Sequence, residues 1–479
     1  MSKIRKMIMG ATLSGVAVAL AFSPAVSQET QKKDEANKDR LPMVVYDKNP
    51  YPSTYKPFPS VTTVIQNATV FTGTGEKLTG ASVLMENGKI VAVGTEMDVP
   101  YGAKVIDGTG KWVTPGIIDV HSHLGVYASP GHRSLSDGNE ATQPVTADVW
   151  AEHSVWPQDP GFARAIAGGV TSLQILPGSA NLIGGRGVTL KNVPSRTREG
   201  MKFPDAPYGM KMACGENPKR VYGKKGGPST RMANMAGYRK AWIKARDYKQ
   251  KWEAYYRDYK AGKDVKAPTQ DLELETLMGV LDGEILIHNH CYRADEMVSM
   301  VNMAKEFDYK ISTFHHAVES YKIADILAKE GICSAMWSDW WGFKLEAFDG
   351  VDENIPMVAA AKACAVVHSD DANGIQRLNQ EMAKAWADGK NVGLDFSKAE
   401  AIQWITLNAA RSLGVDDKTG SLEKGKMADV VLWSGDPFSV YSLAEKVFID
   451  GALMYDRSNP DTFWQSDFEV GYTKKGAHQ

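Results

Sequence analysis

Two histidines two residues apart, His121 and His123, end the apolar run of PGIIDVHSHLG at residues 115–125, and Asp119 precedes them by two. Successive side chains on a strand point to opposite faces, so these three share one face. A lone buried imidazole is usually satisfied by hydrogen bonds, whereas two on one face with a carboxylate behind them are better explained by a shared cation. The arrangement recurs: IHNH supplies His288 and His290, TFHH supplies His315 and His316, and VVHSDD supplies His368, Asp370 and Asp371. Seven of the ten histidines therefore close apolar runs. Imidazoles that converge on a cation with an open position make water ionisable near neutral pH, which is chemistry for attack on an electrophilic carbon.

The runs that must position these groups alternate with helix-like stretches. They are GIIDVHSH, VTSLQIL, MKMAC, ILIHNH, ISTFHH, ICSAM and CAVVHS. Continuous apolar strands followed by helices argue for a parallel sheet covered on both faces. Seven such runs approach the eight of a (β/α)8 TIM barrel, whose strand carboxyl ends face a single mouth. Residues 61–114 change texture to short β-rich runs with Asn-Gly and Gly-Thr-Gly turns, and the texture returns in residues 425–479. One small domain is expected from both ends of the chain, with the barrel over residues 115–424. Residues 28–60 read as an extended arm, and residues 229–265 as a long charged helix whose basic side chains form either a solvated face or a docking surface.

Residues 1–27 have the layout of a secretory signal: Lys3, Arg5 and Lys6, then the apolar run of residues 7–22, then small residues for cleavage. A secreted or periplasmic location is the expectation, with no later stretch able to cross a membrane. A net charge of -2 without long like-charge blocks speaks against nucleic acid or anionic membrane as partners. A small-molecule substrate is expected, and a homo-oligomer is compatible with the composition. Cys214, Cys291, Cys333 and Cys364 lie far apart and in or beside apolar runs, and read as buried free thiols, although an oxidising compartment would allow a pair.

Taken together, TPGIIDVHSHLG, AGGVTSLQILPGSANLIGGRG, KMACGENPKRVYG, IHNHCYRADEM, FHHAVESYKIADIL, VVHSDDANGIQRL and GSLEKGKMADVVLWSGDP resemble the amidohydrolase superfamily. The likeness is greatest to its imidazolonepropionase-like branch of metal-dependent hydrolases, and it covers almost the whole chain after residue 27. The resemblance implies a distorted TIM barrel with a small β-sandwich, holding one or two divalent metal ions of zinc type. It implies His121, His123, His290, His316 and Asp370 as ligands. It also implies a bridging ligand, for which Glu216 is the first candidate and Lys211 the second. The implied reaction is hydrolysis of a C–N bond (amide, cyclic amide or dipeptide-like) by a metal-activated hydroxide, with Asp370 as proton shuttle. The alternatives are a deaminase on the same scaffold, or a non-catalytic metal-binding barrel.

Among the remaining residues, His288 is either a ligand or a support behind one, and His368 either orients Asp370 or is a satisfied core imidazole. By strand alternation His315 points away from His316, outside the barrel. Trp337 and Trp340, in WSDWWGF, wall a pocket for an apolar acyl group or pack the loop on the rim. Arg186 in IGGRG, Tyr292 and Arg293 are candidates to hold a carboxylate or oxyanion. GxSxG and HExxH are absent, which excludes those nucleophile and metalloprotease signatures.

Overall fold

The computed structural model describes residues 41–460. The expected signal at residues 1–27, residues 28–40 of the arm, and the C-terminal tail beyond residue 460 lie outside the described residues. The chain divides into a small unit, which ends at Tyr46 and includes Trp252–Pro268, and a main unit of Asp47–Lys251 with Thr269 onwards. No described helix is long and apolar enough to cross a membrane.

Within the main unit the first sheet is built from β1 (Thr63–Phe71), β2 (Lys77–Glu86), β3 (Lys89–Gly94), β4 (Lys104–Asp107) and β5 (Trp112–Pro115). The second is the barrel sheet: β6 (Ile117–Ser122), β7 (Val170–Ile175), β8 (Ile183–Lys191), β9 (Tyr208–Ala213), β10 (Ile285–Cys291), β11 (Ile311–His316), β12 (Cys333–Met336) and β13 (Cys364–Val367). The chain then returns to the first sheet through β14 (Val430–Trp433), β15 (Ala444–Ile449) and β16 (Ala452–Asp456). There the order is β16-β15-β14-β5-β1-β2-β3, with β4 on β1, so strands from before and after the barrel share one sheet. Its hairpins turn on Asn87-Gly88 and Asp450-Gly451, all four residues at positive φ, as tight two-residue hairpins require. Its inner face buries Ile65, Val83, Val113, Val430 and Phe448.

The barrel strands follow one another in chain order from β6 to β13. Seven are the apolar runs of the sequence. The eighth, β8, is antiparallel to both neighbours and is formed by IGGRGVTLK, a glycine-rich segment outside the apolar runs of the sequence. Those glycines allow close approach: a Cβ on Gly185 (φ +102°) would stand 2.2 Å from the Val149 carbonyl oxygen. At the seam, the Asp370 amide donates to the His121 carbonyl at 3.0 Å, which brings the chain after β13 back to β6.

All four cysteines are paired, as Cys214–Cys291 and Cys333–Cys364, which corrects their reading as free thiols. Cys333 and Cys364 are register partners on β12 and β13, with Cα atoms 4.4 Å apart. The other pair joins the ends of β9 and β10, with Cα atoms 5.2 Å apart. Parallel pairing makes neighbours of residues that the sequence separates by 77 and 31 positions. The charged helix spans Arg231–Lys260.

Candidate metal centre

Each metal-type side chain comes from the carboxyl end of a barrel strand, where an apolar strand stops and its last inward residues meet the mouth. His121 is the penultimate residue of β6, and its Nε2 lies 3.4 Å from Asp370 Oδ1. His123 Nε2 lies 3.2 Å from the same oxygen, and its Nδ1 is fixed by the Leu176 carbonyl at 2.9 Å. His316 Nδ1 lies 3.8 Å from Asp370 Oδ2. His121, His316 and Asp370 each offer a ligand atom within 4.8 Å of the others, a spacing able to hold a metal ion. His290, at the end of β10, has its ring 4.7 Å from that of His316. The Nδ1 atoms of His290 and His316 are buried without a hydrogen-bond partner. Of the two, the His316 nitrogen is the one near the Asp370 carboxylate, and buried imidazole nitrogens left without partners fit a cation.

Backbone strain aims two of these groups. His316 (φ +69°) and Asp370 (φ +52°) both adopt left-handed conformations that residues other than glycine avoid, a strain that concentrates at functional sites. The twist at His316 breaks strand alternation, so His315 is not outside the barrel. It is fully buried within it, with Nδ1 2.9 Å from His121 Nδ1 and Nε2 2.9 Å from His288 Nδ1. His288 therefore stands behind the cluster, linked to His315. His368 Nε2 accepts from the His316 amide at 3.3 Å and supports that strained residue.

Electrostatics suit cation binding. Burial, aided by Lys211 for His121 and by Lys344 for His290, holds both imidazoles well below their ordinary pKa, so they are neutral donors at pH 7. Burial pushes the Asp370 carboxyl up, but His123 and His368 outweigh it and leave it below the usual carboxylate range. Asp119 ties β6 to the far side of the seam by accepting from the His121 amide at 3.2 Å, the Ser369 amide at 3.1 Å and Ser369 Oγ at 2.5 Å. Burial still pushes its carboxyl up to about 7.

The two bridging candidates occupy different surroundings. Lys211 is buried on β9, donating to the Pro177 carbonyl at 2.9 Å, with Nζ 3.4 Å from His121 Nε2. Glu216 opens the helix Glu216–Tyr222, is 31% exposed, and faces Lys344 Nζ at 3.6 Å. A lysine flanked by methionines in mid-strand was a signal available in MKMAC.

Trp337 stacks on the His316 ring at 4.3 Å and Trp340 on Trp337 at 5.2 Å. With His316, Asp339, Trp341 and Asp352 they line a cavity beside the cluster. The Tyr292 ring meets the His290 ring edge-on at 4.6 Å. Arg293 is exposed and pairs with Asp295 at 2.9 Å. Arg186 is buried on β8, where Nε donates to Thr276 Oγ1 at 2.8 Å and the guanidinium lies 4.0 Å from the Trp150 ring. Gln174, a buried polar residue of the VTSLQI strand that sequence reasoning passed over, lies with its amide 3.2 Å from His288 Nε2.

Comparison with known proteins agrees with this geometry. The model of the amidohydrolase family matches residues 249–470. An amidohydrolase from Thermotoga maritima MSB8 of known structure is 37% identical, with a TM-score of 0.75, covering 82% of this chain and 100% of that one. The amidohydrolase tasK of Hapsidospora irregularis is 32% identical over 430 residues, 82% of this chain, but the chain spans only 43% of that protein's length. The imidazolonepropionase of Mesorhizobium japonicum is 24% identical over 379 residues, 74% of this chain and 86% of that protein. On the barrel, the histidine and aspartate cluster at its mouth and these likenesses, the chain belongs to the amidohydrolase family.

Proposed function

We propose that this protein hydrolyses a C–N bond in a small amide, cyclic amide or dipeptide-like substrate with one or two divalent ions, zinc foremost, held at the barrel mouth. The observation that carries the reading is the set of neutral, buried imidazoles around Asp370, with the Nδ1 atoms of His290 and His316 left without partners. His121, His123 and Asp370 would hold one ion, and His290 and His316 a second. Lys211 is preferred over Glu216 as the group shared between them, because its Nζ stands within the cluster while Glu216 faces Lys344. When bound, such ions supply Lewis acidity, making water a nucleophile near neutral pH and polarising an acyl oxygen.

The chain's own residues do the rest. Asp370 Oδ1, 3.2 Å from His123 Nε2, accepts the proton of the attacking water and returns it to the leaving nitrogen. Its depressed pKa keeps it ready as a base. Tyr292, edge-on to His290, and Trp337, stacked on His316, shield the mouth from water, and Trp340 extends that wall toward the entrance. Hydrolysis is favoured over deamination because Glu296, in the helix that follows β10, is engaged by Arg231 Nε at 3.0 Å.

A secreted or periplasmic location belongs to the same proposal. The two disulfides support it, since such bonds persist in oxidising compartments. The partners proposed are the small-molecule substrate and, in the assembly, further copies of the chain, with neither nucleic acid nor membrane. The test is metal analysis of the purified protein with a panel of amides, cyclic amides and dipeptides. Hydrolysis lost to a chelator and restored by zinc supports the reading; hydrolysis indifferent to both refutes it.

A further inference from the structure

Behind the His121 ring runs a line of polar side chains that the proposed reaction does not use. His121 Nδ1 is 2.9 Å from His315 Nδ1, His315 Nε2 is 2.9 Å from His288 Nδ1, and His288 Nε2 is 3.2 Å from the Gln174 amide nitrogen. None of the four is more than 1% exposed, so each ring finds its partners within the barrel.

A hydrogen bond between two neutral imidazoles needs one N–H and one lone pair, which leaves the line two self-consistent states. In the first, Gln174 donates to His288 Nε2. The protons then sit on Nδ1 of His288 and Nδ1 of His315, and His121 is protonated on Nε2. That state points a proton, not a lone pair, at Asp370. In the second, the Gln174 amide is turned over so that Oε1 accepts from His288 Nε2–H. His315 then donates from Nε2 to His288, His121 donates from Nδ1 to His315, and His121 Nε2 keeps its lone pair for the cluster. The two amide orientations of a glutamine have nearly the same shape, so the barrel accommodates either.

We propose that Gln174, His288 and His315 are positioning residues that hold His121 as its Nδ1–H tautomer, presenting Nε2 to the cation. The inference rests on the metal-dependent reading above. The packing leaves room for the joint: a Cβ on Gly209 would stand 2.8 Å from Gln174 Nε2 and 2.9 Å from His288 Cδ2. Partners behind a ligand fix its tautomer and orientation in just this sense.

The test is long-range 1H–15N correlation on zinc-loaded protein labelled with 15N at histidine. Protons on Nε2 of His288 and Nε2 of His315, with Nδ1 protonated on His121, are expected; a proton on Nδ1 of His288 or Nδ1 of His315 overturns the relay. Zinc competition with a chelator gives an independent reading. Gln174→Leu, which removes the acceptor at similar size, is expected to weaken zinc binding about 10–100-fold. Gln174→Glu, which keeps an acceptor, is expected to recover most of it. A folded Gln174→Leu protein with unchanged zinc affinity overturns the relay, and if that variant does not fold, the wild-type spectrum decides. Wild-type protein that binds no zinc refutes the metal-dependent reading and the relay with it, whereas reversed protons in a zinc-loaded protein refute the relay alone.

Discussion

His121 and Asp370 meet twice across the barrel seam: the Asp370 amide donates to the His121 carbonyl at 3.0 Å, and His121 Nε2 lies 3.4 Å from Asp370 Oδ1. One backbone bond thus both draws the last strand toward the first and seats the carboxylate among the imidazoles.

Removing the carboxylate while keeping its shape separates chemistry from binding. Asp370→Asn is expected to lower kcat about 10²–10⁴-fold, the usual worth of a positioned proton carrier, with a smaller loss of bound metal. Steady-state kinetics alongside metal analysis of the same preparation check it.

The preference for Lys211 as the shared ligand makes a paired prediction. Lys211→Met should lower both metal content and turnover, whereas Glu216→Gln should leave metal content within about twofold of wild type, since Glu216 faces Lys344 outside the imidazole cluster and a partly solvated ion pair of this kind carries little energy. The opposite ranking in metal analysis would restore Glu216.

Legibility in the sequence followed locality. The strands that carry His121, His290 and His316 announce themselves as apolar runs, and the Asn87-Gly88 and Asp450-Gly451 hairpins by their turn residues. β8 was hidden because its glycines serve close backbone packing that only the folded barrel reveals. The inward turn of His315 depends on a left-handed residue next to it, and a strand period assumes regular φ. Cys214–Cys291 spans 77 residues and no spacing encodes it.

Those crosslinks are expected to stabilise the fold by closing long loops in the unfolded chain. Cys214→Ser with Cys291→Ser should cost about 3–5 kcal/mol and Cys333→Ser with Cys364→Ser about 2–4 kcal/mol, read from urea unfolding.

The junction of barrel and sandwich carries its own signature. Lys191 on β8 is fully buried, with Nζ 3.0 Å from Asp429 and 3.1 Å from Asp450. Lys191→Met leaves two carboxylates buried without their cation and should cost about 3–5 kcal/mol. Burial, then the Asp429 charge, raises the Asp450 pKa above its ordinary value. The folded chain therefore holds that proton more tightly than the unfolded chain. The stability this contributes is complete below the unfolded carboxylate pKa and is lost as pH climbs through the raised one. Asp450→Asn should flatten that part of the stability profile, measured by urea unfolding across pH.

The most direct measurement is a crystal structure of zinc-loaded protein with anomalous data collected at the zinc edge. The account predicts density bounded by His121, His123 and Asp370, with any second peak between His290, His316 and Lys211. A zinc-loaded crystal whose anomalous peaks all lie elsewhere would contradict it.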